Sequence, residues 1–328
     1  MHNLRAIKTV YSYLLPEVRK IISGLSMEEL NERLMKSVQV SESGKIISGA
    51  LDHSHLQVIE NLKKAYEKSV LGLEKFKWQY FTAGSEEGIR EYITRLKTLG
   101  VKEIYMLYGD YEGYKEVALQ RGMRVTEIWC NFNPKELKPG YFFISNPSAR
   151  NGNWLPDGFI NDICEAGHKV FLDLTYFGST HPMSVNVSHP NIDAVAFSFS
   201  KPYGLFYLRI GFLFTKQYNG IPSLYSNIWF RSEFSLMLAE KIIEKVGEIP
   251  DIEKYKKIQS KIVEQIQDET GLNLQPSHTF LLAHMPFEAF HLGSQEKACL
   301  IPFLRDGEYR FCLTPYFIEH EQKGENHE

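Results

Sequence analysis

The chain lacks the features that would commit it to a membrane, a nucleic acid or a disulfide framework. Among its 328 residues are only four cysteines, Cys130, Cys164, Cys299 and Cys312, with no C-x-x-C spacing and no histidines paired at metal-ligand intervals. Buried free thiols are expected, and no metal. No apolar run approaches the length of a membrane span, and the opening Met1-His-Asn-Leu-Arg leads into a mixed segment rather than a secretory apolar core. A cytoplasmic protein with no membrane association is the expectation. Lys and Arg number 37 against 40 Asp and Glu, for a formal charge of −3, and they are scattered, so no nucleic-acid partner is expected. There is no internal repeat and no long low-complexity stretch.

What is present is an ordinary globular composition, 43% hydrophobic and 23% charged, enough for one large or two modest domains. From about residue 80 apolar strands alternate with amphipathic helices. Ser85-Glu-Glu opens a helix whose apolar positions Ile89, Tyr92, Ile93, Leu96 and Leu99 keep a helical period, and Gly100 ends it. Strands are expected at 103–108, 124–129, 141–145, 169–174, 194–200 and 210–214, with helices at 112–120 and, from Pro156, to Ala166. Strands spaced by helices imply right-handed βαβ units, hence an α/β fold with a mostly parallel sheet sandwiched by helices. The flanks differ: Ser26-Met-Glu-Glu29 is a capping box, 234–246 and 252–268 pattern as helices, and 279–285 and 309–314 as short strands. These flanks predict a smaller α+β domain, with residues 1–45 and 217–328 packing together beside a large domain of 46–216.

Ligands on such sheets bind beyond the carboxyl ends of the strands, and the chemically capable residues lie there: Ser85, Asn146, Asp173 and Lys201. Lys201 ends Ala194-Val-Ala-Phe-Ser-Phe-Ser-Lys, and Arg209 follows in Leu208-Arg-Ile-Gly. A lysine amine whose pKa is lowered by burial can attack a carbonyl to form a Schiff base, and an arginine presents a forked donor to a phosphate. Taken alone, Lys201 reads more readily as a solvated lysine at a strand end, since most lysines are solvated.

Asp173, Tyr176, Lys201 and Arg209 are separated by three, twenty-five and eight residues. The set Asp-x-x-Tyr, Ser-x-Ser-Lys and Leu-Arg-x-Gly resembles the fold type I pyridoxal-phosphate (PLP) enzymes, particularly the class I/II aminotransferases. The resemblance covers roughly residues 80–215 well, the C-terminal part weakly, and the first 40 hardly at all. It implies the fold type I architecture, with a seven-stranded-type sheet, and PLP as cofactor. It further implies an amino-acid substrate and a homodimer with active sites at the interface.

By that resemblance Lys201 would form the internal aldimine and act as general base, Asp173 would pair with the pyridine nitrogen, and Tyr176 would donate to the phenolate oxygen. Gly84, Ser85 and Glu86, in Thr82-Ala-Gly-Ser-Glu-Glu-Gly, match the phosphate loop, with Ser198, Ser200 and Arg209 completing the cradle. Tyr111 matches the ring-stacking aromatic, with Tyr108 and Tyr114 as rivals. Asn146 in Asn146-Pro-Ser-Ala-Arg-Asn-Gly152 matches a phenolate-binding asparagine. Anchoring the same loop on Gly152 puts Ala149 at that position instead. Arg310 in Glu308-Tyr-Arg-Phe matches the arginine that takes the substrate carboxylate. Structural roles compete with each assignment: Asp173 as a turn cap, Ser85 as a helix cap, the serines as strand alternation, Arg310 as an edge-strand residue. His53 and His55 read as surface residues. Arg150, Arg231, Tyr11 and Tyr13 are possible substrate side-chain contacts.

The function implied is an aminotransferase. Alternatives are a specialised PLP-dependent lyase, cyclase, decarboxylase or oxidase, favoured by the altered Asn146 loop, and more remotely a non-catalytic ligand-binding module.

Overall fold

In the computed structural model, residues 4–36, 43, 50–217, 232–287, 298–305 and 307–325 are described. The expected boundary between residues 45 and 46 falls outside them. So does Arg231, as do the side chains of His53 and His55 within the helix Ala50–Tyr66.

The large sheet has seven strands in the order β2-β9-β8-β6-β5-β3-β4. They are β2 (Trp78–Thr82), β3 (Glu103–Leu107), β4 (Arg124–Ile128), β5 (Tyr141–Ser145), β6 (Lys169–Asp173), β8 (Ile192–Ser198) and β9 (Gly211–Thr215). Within it, β9 runs antiparallel to both its neighbours, and the pairings β3–β4, β3–β5, β5–β6 and β6–β8 are parallel. Strands β8 and β9 are buried along their whole length, because apolar layers cover both faces. One layer contains Ile89, Tyr92, Ile93 and Leu96 of the helix Ser85–Thr98 with Tyr114 and Val117 of the helix Glu112–Gln120. The other, larger layer runs from the sheet into the N- and C-terminal segments.

Those segments build a four-stranded antiparallel sheet, β10-β11-β13-β12: β10 (Gln275–Pro276), β11 (Leu282–Pro286), β12 (Leu304–Arg305) and β13 (Glu308–Cys312). Helices Ile252–Thr270 and Thr314–Glu325 pack with one another beside it. A two-residue parallel pair, β1 (Val70–Leu71) with β7 (Val185–Asn186), makes a minor sheet.

Four expectations shift. The helix expected from Pro156 starts at Phe159, because Gly158 is in the left-handed region at φ 82° and the Phe159 amide closes a turn onto the Pro156 carbonyl. The strand expected at 194–200 spans Ile192–Ser198. Residues 279–281 precede β11 rather than joining it, since the Thr279 and Phe280 amides bond the carbonyls of Gly152 and Ser179. The alternation at 309–314 becomes Glu308–Cys312. Strand β2 and the helix Ala50–Tyr66 were not anticipated.

Register aligns the strand ends that matter. Ser145 pairs with Asp173, Asp173 with Ala196, Ser198 with Gly211, and Gly211 with Thr82. The chain passes from β3 outward to β4 and returns to β5 on the other side of β3, so the topological switch point lies between the ends of β3 and β5.

Candidate active site

Asp173 ends β6 and is 3% exposed. Its carboxylate accepts from Tyr114 Oη at 3.0 Å, the Thr175 amide at 2.9 Å and Thr175 Oγ1. Burial is the dominant influence and raises its pKa to about 6, against the lowering effect of these donors. The Thr175 hydroxyl also lies 2.8 Å from Ser85 Oγ, which links the end of β6 to the start of the helix Ser85–Thr98.

That helix start forms the second corner. Gly84 adopts φ 79° and ψ 171°, a conformation open essentially only to glycine. A Cβ there would lie 2.5 Å from Arg209 Nη2. Arg209 Nη2 donates to the Ala83 carbonyl at 2.7 Å and Nη1 to the Phe206 carbonyl at 3.1 Å. Arg209 itself has φ 50°, a left-handed conformation that costs a non-glycine residue about 1–3 kcal/mol and concentrates at functional sites. Next to this corner, Ser198 and Ser200 are buried with their hydroxyls 2.9 Å apart. An anion at this corner would meet the positive end of the helix, a guanidinium and two hydroxyls.

Lys201 follows directly. Burial lowers its pKa from 10.5 to about 8, and the positive charges of Arg310 and Arg209 act in the same direction. Its amine donates to the carbonyl of Val10 and lies 5.7 Å from the Phe206 ring centroid.

Arg310, in the middle of β13, is 7% exposed. Its Nη1 donates to the Ala149 carbonyl and its Nη2 to the Lys8 carbonyl at 3.3 Å, while Nε is buried with no hydrogen-bond partner among the described residues. Burial lowers its pKa, and Tyr176 is among the groups acting electrostatically on it. Tyr176 is buried too, which pushes its hydroxyl up to about 12.

The remaining expected residues are placed as follows. Tyr111 is 39% exposed and donates its hydroxyl to the Glu86 carboxylate, so these two form a pair at the rim. Of its rivals, Tyr114 reaches Asp173, whereas Tyr108 stacks on Trp129 with centroids 4.6 Å apart. Asn146 is buried at the end of β5, but its Oδ1 accepts the Leu155 amide at 2.9 Å. It lines a cavity of about 380 Å³ together with Trp154, Leu155 and Met183. The residue of that loop in contact with Arg310 is Ala149, through its carbonyl.

Three contributors were not expected from sequence. Asp110 follows β3 and is 2% exposed. It accepts from the Tyr111 amide at 2.7 Å, the Ser145 amide at 3.1 Å and Ser145 Oγ, and burial raises its pKa to about 6. A carboxylate three residues beyond the buried run Ile104–Leu107 was the available signal. Thr175 was hidden between the two motif positions Asp173 and Tyr176. The N-terminal segment was the third: its Lys8 and Val10 carbonyls meet the two site cations, and its Tyr11 carbonyl accepts from Thr314 Oγ1 at 2.9 Å. A backbone acceptor leaves no trace in residue identity.

No protein-family model and no curated protein sequence matches the chain. Solved structures do. A methionine aminotransferase from Escherichia coli is 14% identical, with 94% of this chain and 89% of that one covered and a TM-score of 0.67. A histidinol-phosphate aminotransferase from Sinorhizobium meliloti, in complex with pyridoxal-5'-phosphate, is 14% identical over 93% and 85% of the two chains, with a TM-score of 0.64. A PLP-bound C–S lyase from Staphylococcus hominis is 12% identical over 96% and 85%, also with a TM-score of 0.64. This chain shares their fold. The expected fold type I architecture is therefore the observed one, and the likeness covers 93–96% of the chain, including the terminal parts where the sequence resemblance is weak or absent. Lys201, Asp173, Ser85 and Arg209 sit at the strand and helix ends where an open α/β sheet binds ligands.

Proposed function

We propose that the chain is a PLP-dependent enzyme acting on an amino acid, with transamination as its reaction. The observation that carries this reading is a half-buried Lys201 whose amine pKa is lowered to about 8, in one site with the buried Asp173 carboxylate and the Arg209–Gly84 corner. The residues present fit the group. Gly84, Ser85, Ser198, Ser200 and Arg209 would hold its phosphate, Asp173 its ring nitrogen, and Lys201 its aldehyde carbon. When bound, PLP supplies an electron-accepting ring that stabilises negative charge on the substrate α-carbon.

The chain's own groups do the rest. Lys201, half neutral near pH 8, takes and returns the α-proton, because a base with pKa near the working pH is the most effective. Arg310 binds the substrate carboxylate through its orphaned Nε and through Nη2, which leaves the Lys8 carbonyl for a charged acceptor, while Nη1 stays on the Ala149 carbonyl. Thr175 and Tyr114 orient Asp173. The N-terminal segment lies against Lys201 and Arg310 and limits water entry.

One observation favours a second reading, a PLP-dependent lyase, cyclase, decarboxylase or oxidase. Asn146 is turned to Leu155, and Ala149, which has no side-chain donor, occupies the loop position next to Arg310. A group that changes the ring's electronics is thereby altered, and small changes in a site of this kind redirect chemistry.

The reading includes a cytoplasmic two-fold homodimer with sites at the interface. It is supported by the prevalence of two-fold dimers and by exposed aromatics such as Trp129 and Tyr207.

The deciding experiment compares visible spectra of wild type and Lys201→Ala after addition of PLP. A borohydride-reducible imine band in the wild type alone is the expected result. No band in either protein overturns the enzyme reading in favour of a ligand-binding module. Turnover that requires an added keto acid marks a transaminase, and turnover without one marks the second reading.

A further inference from the structure

We propose that Asp110 is a positioning residue that sets the grip on the substrate carboxylate by holding the Ser145–Ala149 turn against Arg310. This rests on Arg310 being the carboxylate anchor.

The connection is continuous. Asp110 accepts both the amide and the hydroxyl of Ser145, and its own orientation is fixed by the Tyr111 amide at 2.7 Å. Having donated its proton to Asp110, the Ser145 hydroxyl accepts the Ala149 amide at 2.6 Å. The Ala149 carbonyl then receives Arg310 Nη1. Asp110, Ser145, Ala149 and Arg310 are all buried.

Geometry distinguishes this role from general stabilisation. Asp110 and Ser145 follow or end β3 and β5, the two strands that meet at the switch point, so the carboxylate bridges the crevice where the sheet binds its ligand. A neutral acceptor would satisfy Ser145 at a smaller desolvation cost than a buried carboxylate. What the charge adds is a stronger hold on the Ser145 hydroxyl and amide, and hence a defined place for Ala149 and for the guanidinium attached to it.

The test uses Asp110→Asn and Ser145→Ala. In the protein without cofactor, hydrogen exchange across residues 146–153 should accelerate roughly 10-fold in both variants. Unchanged exchange there overturns the proposal. In the PLP-loaded protein, the twenty proteinogenic L-amino acids are titrated spectroscopically, and the one giving the largest change is carried forward. Its half-saturating concentration should rise about 10-fold in each variant, with kcat within about 3-fold of wild type. Combining Asp110→Asn with Arg310→Lys should add little beyond Arg310→Lys alone. Full additivity, or a fall in kcat with half-saturation unchanged, is the outcome of a merely structural role and overturns the proposal. A wild type that forms no imine band speaks against the cofactor reading, and the exchange arm then decides the coupling by itself.

Discussion

The Lys201 amine donates to the carbonyl oxygen of Val10, a residue 191 positions away that belongs to the N-terminal segment. The same segment passes so close to Gly204 that a Cβ there would lie 2.2 Å from the Tyr13 carbonyl oxygen. Gly204, three residues beyond Lys201, is thus what lets the segment approach the candidate amine. Gly204→Ala is expected to lift it. Hydrogen exchange of residues 4–15 should rise in this variant while the β5 and β6 amides stay protected; equal protection of the segment in both proteins would count against this account.

The lowered pKa of Lys201 has two measurable consequences. Imine formation with PLP should reach its half-maximal rate near pH 8 rather than near 10.5. In the protein without cofactor, the folded state holds fewer protons at this site than the unfolded state between about 8 and 10.5, so its contribution to stability rises with pH across that window. Urea unfolding of wild type against Lys201→Met should show the wild type gaining on the variant from pH 8 upward.

For Asp173 the sign is opposite. Its folded pKa of about 6 lies above the ordinary 3.8, so its contribution to stability is greatest below pH 3.8 and is lost as pH rises through 6. Asp173→Asn should therefore gain on wild type between about pH 4 and 6 in unfolding experiments without cofactor. On the proposed function, the same variant should lose turnover at every pH, since it could not carry the charge that would hold the ring nitrogen of PLP protonated. Wild-type turnover in Asp173→Asn would sink the assignment.

Gly84→Ala puts a methyl group into Arg209 Nη2 and imposes a conformation that costs a non-glycine residue about 1–3 kcal/mol. A weaker hold on phosphate is expected, with PLP affinity falling at least roughly 10-fold. Equilibrium dialysis against PLP measures it, and Arg209→Lys should fall in the same direction because a forked donor is replaced by a point charge.

Much of this protein was legible in its residues because the signals are local. Apolar strands spaced by amphipathic helices fix a βαβ sheet, and the strand-end positions of Asp173 and Lys201 follow from where each apolar run stops. The glycine at 84, the helix opening at Ser85 and the arginine at 209 are equally local, since each is defined by its neighbours in the chain. Strand β2 escaped because Trp78 is exposed and its pattern is half-buried at a sheet edge.

What the tertiary structure alone decided are the long-range pairings: Asp110 with Ser145, Tyr114 with Asp173, Tyr111 with Glu86, Asn146 turned to Leu155, and the Lys8 and Val10 carbonyls on the two cations. The physical reason is that a buried polar group must find a partner wherever packing brings one, and every backbone carbonyl is an eligible acceptor whatever side chain it carries. Residue identity therefore states which groups need partners, and only the packed chain states which partners they obtain.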